Sequence, residues 1–320
     1  MKSTNKKIIN PISKLGLVAA STVVVMAASS VTVADVKLSG RVFHSAVDRD
    51  SAEDIEFQTP GNAGYTISLN ADHEIGNGLT TGLAFRLSDF GSGTDIALDE
   101  KSLYLSGAFG KLDLGHNLTA SAFVEAYAGH ASYWIDPLGW LNWGGATNSA
   151  SFNPFLLTGS TTREERLRYD TPNFSGFSAR GQLGDNGTSE LALLYSNYGI
   201  IANAFTIDGA DVKGDTTGFL VAYNAPFGLH ISYSSSEEDK LGGGEDKYSG
   251  AKLGYTFGKH AVSVSGHVYE QDGVADDYER SSFSYVYSAS DRFQLFAQYT
   301  EEELGAQDDD AIALGAGLFF

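Results

Sequence analysis

The chain contains no cysteine, only six prolines, and about half as many basic as acidic side chains, 21 against 40. Without cysteine, no disulfide can brace the fold, so an exported protein of this composition must hold together another way. The excess of acid repels nucleic acid and argues against DNA or RNA as a partner. Beyond its first 30 residues the sequence has no apolar run long enough to cross a bilayer as a helix. If the chain resides in a membrane, it must do so as a closed barrel, because every backbone polar group in lipid needs an internal partner.

What is present reads as strands. Thirty-seven glycines accompany 19 phenylalanines and 16 tyrosines, a composition suited to short alternating strands joined by tight turns. Apolar residues recur with period two. Val36, Leu38 and Val42 take one phase and Lys37, Ser39 and Arg41 the other. Leu79, Thr81, Leu83, Phe85 and Leu87 alternate with Gly82, Ala84, Arg86 and Ser88, and the final segment puts Ile312, Leu314, Ala316, Leu318 and Phe320 on one side. About sixteen such segments follow one another, an even count that suits an antiparallel barrel. The slightly polar mean hydropathy fits a large barrel, in which half of each strand faces water.

The connections fall into two sets. Gly76-Asn-Gly78, Pro226-Phe-Gly228 and Gly258-Lys259 are short. The others read as longer acidic loops, at Asp48 to Glu56, Glu237-Glu-Asp239, Asp276-Asp277, Glu301-Glu-Glu303 and Asp308-Asp-Asp310. Short turns on one rim and long loops on the other are the asymmetry of outer-membrane barrels. One connection, residues 117–160, is far longer than the rest and holds all three tryptophans, Trp134, Trp140 and Trp143. A loop of that length is normally functional or disordered, and its aromatic content argues against disorder. It is expected to fold into the barrel and narrow the hole.

The N-terminus reads as an export signal. Lys2, Lys6, Lys7 and Lys14 precede the short apolar run Leu15 to Ala28, and Thr32-Val-Ala34 offers small residues for cleavage. Residues 1–34 are therefore expected to be removed, leaving 35–320 as one domain. That removal takes four lysines and no acid, so 17 basic face 40 acidic side chains and the net charge is −23.

Four motifs, in order, carry a resemblance: Glu74-Ile-Gly-Asn-Gly-Leu79, Phe109-Gly-Lys-Leu-Asp-Leu-Gly115, Arg168-Tyr-Asp-Thr-Pro-Asn-Phe-Ser-Gly-Phe177 and Tyr287-Ser-Ala-Ser-Asp-Arg-Phe-Gln-Leu-Phe296. With the terminal Phe320 they resemble the general diffusion porins of Gram-negative bacteria over essentially the whole mature chain. The resemblance implies a 16-stranded antiparallel transmembrane β-barrel in the outer membrane, a homotrimer, and a third loop folded inward as constriction. It implies passive diffusion of ions and small hydrophilic solutes, with no cofactor. The sequence departs from the family at His116, where arginine is usual.

Arg41, Arg86, Arg166, Arg168 and Arg180 fall on the polar phase of their strands. A mid-bilayer arginine on the lipid face costs about 2–4 kcal/mol, so the lumen is the expected place. A basic strip there, faced by the loop acids Glu125 and Asp136, would set up a field across the pore. The tryptophans either pin the loop to the wall or form a sugar-stacking slide, which would make the channel sugar-selective. The acidic outer loops either form a solvated vestibule or bind divalent cations shared with lipopolysaccharide phosphates. Seven scattered histidines show no His-Glu-x-x-His spacing, and there is no Gly-x-Ser-x-Gly elbow, so no metal or catalytic site is expected. A barrel enzyme or an adhesin remains as a further reading.

Overall fold

Alternation of apolar and polar residues forces every strand to present one face to each medium, and the strands answer by closing on one another. The computed structural model describes residues 35–50, 52–58, 65–89, 97–122, 163–185, 187–210, 214–305 and 307–320. The strands are β1 (Asp35–Arg49), β2 (Glu56–Gln58), β3 (Tyr65–Gly76), β4 (Leu79–Asp89), β5 (Ala97–Gly107) and β6 (Gly110–Leu118). After the long insertion come β7 (Arg163–Asp170), β8 (Phe177–Gly184), β9 (Ser189–Asn197), β10 (Ile200–Asp208), β11 (Asp215–Asn224) and β12 (Leu229–Asp239). The last five are β13 (Glu245–Phe257), β14 (His260–Glu270), β15 (Tyr278–Ser290), β16 (Phe293–Leu304) and β17 (Gln307–Phe319).

Each strand from β3 onward pairs antiparallel with the next, and β1 closes the ring. Its residues Asp35–Arg41 pair with β3 and Arg41–Arg49 with β17. Below β17, Gly40 and Phe320 exchange backbone hydrogen bonds of 2.9 and 3.0 Å. The three residues of β2 also pair with β1, above the stretch paired with β3. β2 and β3 are thus two pieces of one wall position, and the barrel has sixteen wall strands. Pairing both ends of the sheet to β1 closes the ring, which is what a membrane demands of a sheet.

The polarity is inverted relative to a soluble protein. Leu314 is 59% exposed on the outside, while Thr300 is 1% exposed inside. The outward phase is mainly Leu, Ile, Val, Phe and Tyr, with some alanines and a Lys101–Glu165 ion pair at 2.7 Å; the inward phase is mainly Ser, Thr, Arg, Asp, Glu and Gln. Near the short-turn rim the outward aromatics form a belt, with Phe177 and Tyr195 rings 4.6 Å apart and Phe257 stacked on His260 at 5.3 Å. Amphipathic rings of this kind sit at a membrane–water interface.

Tight turns set the register. Asn77 and Gly78 both have positive φ, 54° and 71°, the mirror-image turn that matches strand twist. On the opposite rim the acidic segments differ from the sequence expectation. Glu237–Asp239, Glu301–Glu303 and Asp308–Asp310 belong to strand ends rather than loops, and only residues 305–306 join β16 to β17. The ladder continues past the apolar band because water, not lipid, surrounds those carboxylates.

Apolar groups also appear inside, where the alternation alone would not place them. Phe43, Val47, Val286 and Phe296 form one inward cluster with Ala311 and Ala313. Leu194, Phe205, Ile207 and Leu220 form another. The rings lie along the wall over glycines: a Cβ on Gly317 would sit 2.3 Å from Phe43, and one on Gly218 would sit 2.5 Å from Phe205. Covering glycine backbone with a ring shields the ladder and hides the ring from water. Each such burial contributes about 1.5–3 kcal/mol.

Candidate functional site

The interior wall carries the polar chemistry, and it is divided. From β4 to β8 it is ionic. Arg86 Nε lies 3.1 Å from Asp99 Oδ2 and its Nη1 3.2 Å from Glu100 Oε1. Arg163 meets the same two acids at 3.2 and 3.0 Å. A register shift between Arg86 and Leu87 lets consecutive acids on β5 reach these two guanidiniums. Farther along, Arg166 Nη1 contacts Asp113 Oδ1 at 2.9 Å, with Lys111 Nζ 3.1 Å from Oδ2 of the same carboxylate. Arg168 donates from Nε to Asp170 Oδ1 at 2.7 Å, and Arg180 stands 3.9 Å from Oδ2.

From β12 to β16 the wall is mainly hydroxylic, with Lys252 among the hydroxyls and Asp246, His267 and an Arg280–Glu302 ion pair at 3.6 Å nearer the long-loop rim. One row of cross-strand partners runs Ser232, Lys252, Ser265, Ser282 and Thr300. A neighbouring row runs His230, Gly254, Ser263, Ser284 and Gln298. β6 and β14 are eight wall strands apart in a ring of sixteen, so the ionic and hydroxylic arcs face each other across the lumen.

The ionic arc also receives the start of the long insertion. Past β6 the chain runs along the inside of the wall, crossing successive strands. The Leu118 carbonyl accepts from Arg166 Nε at 2.6 Å and from Arg168 Nη1 at 2.8 Å. Ala120 N–H donates to Gln182 Oε1 on β8, and Ser121 N–H to Glu190 Oε2 on β9, both at 2.8 Å. Thr119, Ala120 and Ser121 are fully buried. Charged and amide side chains here satisfy backbone groups that have left the ladder, a buried polar demand that would otherwise be costly.

Of the residues singled out in the sequence, Arg86, Arg166, Arg168 and Arg180 lie together in this arc, and Arg41 shares the inward phase of Phe43 and Ser45 on β1. Glu125, Asp136, Trp134, Trp140 and Trp143 lie outside the described residues. The arginines do not form a bare basic strip, because Asp99, Glu100, Asp113 and Asp170 stand among them on the wall itself. Sequence reasoning missed these acids, together with Arg163, Gln182 and Glu190. The signal was there for Glu190 and Gln182, which alternate with outward Leu191 and Leu183.

A family profile for Gram-negative porins matches residues 20–307. The chain belongs to the Gram-negative porin family. Solved structures agree on the fold. The porin is similar to an anion-selective porin from Comamonas acidovorans, at 18% identity and a TM-score of 0.68, covering 90% of this chain and 100% of that one. It is similar to the trimer form of OmpT, an outer-membrane protein of Vibrio cholerae, at 13% identity and a TM-score of 0.66, covering 90% and 100%. A multiply substituted Rh. blastica porin is 14% identical with a TM-score of 0.64, covering 89% and 100%. No curated protein sequence matches the chain. The porin is an outer-membrane β-barrel channel for passive diffusion, and both family and fold point to a channel rather than an enzyme.

Proposed function

We propose that the porin works as a homotrimer whose 117–160 insertion folds into each barrel and sets the width through which ions and small hydrophilic solutes diffuse. The carrying observation is the course of residues 118–122, which step from β7 across β8 to β9 on hydrogen bonds to inward side chains. A chain that follows the inner wall in this way is already inside the barrel, which supports an insertion lodged in the pore rather than on the outer surface. The trimer form of the Vibrio cholerae protein supports the oligomer. Residues 1–34 act as the export signal, and the outward apolar belt and the acidic rim meet lipid and lipopolysaccharide.

In this reading, solutes at the narrow level pass between an ionic and a hydroxylic surface. Arg41, Arg86, Arg168 and Arg180 stand on this side of the pore, with Arg166 enclosed behind Leu118, and Glu125 and Asp136 are contributed by the insertion. Since the wall arginines have wall acids beside them, the transverse field acts at short range. Planar-bilayer recording of the purified protein tests the reading. Conductance steps in groups of three support an open trimer; absence of current overturns it. The hydroxylic arc favours a second reading, preference for sugars, with the loop tryptophans as stacking surfaces. Concentration-dependent block of the current by a neutral oligosaccharide would establish that preference.

A further inference from the structure

The outer face of the barrel is not uniform. β9 and β11 turn large side chains toward lipid, including Leu193, Tyr195, Phe219 and Val221. β10, between them, turns out only Ala202 and Ala204 over the same stretch. Ala202 is flanked across the ladder by Tyr195 and Val221, and Ala204 by Leu193 and Phe219. The outcome is a lane with an alanine floor and large apolar walls, a groove of about 700 Å³. Pro172 and Phe174 from the turn between β7 and β8 border its lower end. Among the described residues no charged side chain lines it.

We propose that this groove holds one acyl chain of a phospholipid from the leaflet at the short-turn, periplasmic rim. The proposal rests on the barrel being a membrane channel, since only then does the groove open into hydrocarbon. Length fits. On β10 the lining runs from Ala202 to Ala204, about 7 Å, and across β8 to β11 it reaches about 14 Å. Half of a hydrocarbon core about 30 Å thick is about 15 Å. The groove therefore starts near the interface and, with strands tilted about 40°, reaches about 10 Å into one leaflet. Shape fits as well. A single flexible chain can lie on the alanine floor between the ridges. The flat wall of a second barrel would rest on the ridges and leave the floor without contacts, which forfeits dispersion energy. The uncharged lining gives a headgroup or an ion no counter-charge, so the tail is what the groove selects.

The test uses the full chain reconstituted into bilayer discs of palmitoyl-oleoyl phosphatidylethanolamine, released into mild detergent and weighed intact by native mass spectrometry. The wild type is expected to retain one phospholipid per chain. Ala202→Leu and Ala204→Phe fill the groove from outside without reaching the lumen, and each should lower the lipid-bound fraction by at least about tenfold. Ala297→Leu, on the outer face of β16 between Tyr285 and Leu314, should keep the lipid. Equal lipid retention in all four proteins would overturn the proposal. So would an Ala204→Cys protein that forms chain-to-chain disulfides in the bilayer, because the groove would then be a protein contact. Single-channel conductance of the filled variants separates the two readings: it should match the wild type whatever the lipid count, and its loss in every protein would count against the channel itself.

Discussion

Arg166 gives the sharpest test of how the interior is held. Its side chain is wholly enclosed, 2.9 Å from an Asp113 carboxylate that is equally enclosed, and its Nε donates to the Leu118 carbonyl at 2.6 Å. Arg166→Met removes the cation and strands the carboxylate. Breaking one side of a buried pair costs about 3–5 kcal/mol. Lys111, 3.1 Å from the other oxygen of Asp113, is partly exposed and offsets some of that, so the lower end, about 3 kcal/mol, is expected. Asp113→Asn combined with Arg166→Met leaves no stranded charge, and a net loss of only about 1 kcal/mol remains from the missing hydrogen bonds. Both variants lose the Arg166 Nε donor to the Leu118 carbonyl, which keeps only Arg168 Nη1 from β7. Stability is read from urea unfolding of the refolded barrel in detergent, and pore behaviour from single-channel recording in the same preparations. The single variant should lose stability and the double should regain most of it, while both show the same altered current noise. A single variant within about 1 kcal/mol of wild type, or a double no more stable than the single, would refute the pairing argument.

Three further outcomes follow from the same geometry. Asp99→Asn with Glu100→Gln takes two negative charges away from Arg86 and Arg163, so the reversal potential in a KCl gradient should move toward anion preference; no movement would mean that these side chains do not face the ion path. Gly315→Ala places a methyl 2.1 Å from Phe296 Cζ and 2.4 Å from the His44 carbonyl oxygen. The ring can swing but the backbone cannot, so a loss of about 1–3 kcal/mol in urea unfolding is expected. Asp246 accepts from Lys240 Nζ at 2.5 Å, from Tyr269 O–H at 2.9 Å and from Asp272 N–H at 2.9 Å, tying two outer hairpins together. Asp246→Ala should speed proteolysis at residues 240–244 and 271–277 and leave conductance as it was.

The outward half of this fold was legible and the inward half much less so, for a physical reason. Lipid tolerates nothing polar, so each outward position in the membrane is apolar whatever its neighbours are. That is why Ile312, Leu314 and Leu318 announce their face in a single sequence. Water and neighbouring side chains share the inside, so an inward residue is chosen by what lies across the ladder. Phe43 next to Val42 is ambiguous until Gly317 is known to lie opposite it. Asp113 is found with Arg166 only once β6 and β7 are paired across an insertion of more than forty residues. The acidic strand ends were read as loops because charge usually marks a turn, whereas here three acids face three acids in successive rungs of a continuing ladder. The second wall strand is legible in its longer piece, where Tyr65, Ile67, Leu69 and Ala71 alternate with Thr66, Ser68, Asn70 and Asp72, while the three residues of β2 are too few to show a period. The tryptophans and acids of the insertion lie outside the described residues, so their share of the candidate site rests on the sequence.

The two kinds of charge in this barrel should act over different ranges, and salt can separate them. Wall arginines and acids at about 3 Å compensate one another, so their field fades within a few ångströms of the surface. The rim acids are not compensated in this way. Glu301 faces Asp310 and Glu303 faces Asp308, like-charge rungs that cost stability rather than contribute it. Four carboxylates on the outside of one hairpin then project a field into solution as far as the Debye length allows, about 10 Å at 0.1 M salt and about 3 Å at 1 M. Neutralising the four, as Glu301→Gln, Glu303→Gln, Asp308→Asn and Asp310→Asn together, should therefore lower cation preference at 0.1 M and leave it unchanged at 1 M. The same protein should also unfold at higher urea, because the repulsive rungs are gone. The Asp99→Asn, Glu100→Gln protein should instead shift the reversal potential at both salt concentrations, since an ion passing that wall is within contact distance of it. A rim variant whose selectivity changes equally at 0.1 and 1 M would show that those carboxylates reach the narrow part of the pore, and the division between a long-range rim and a short-range wall would fall.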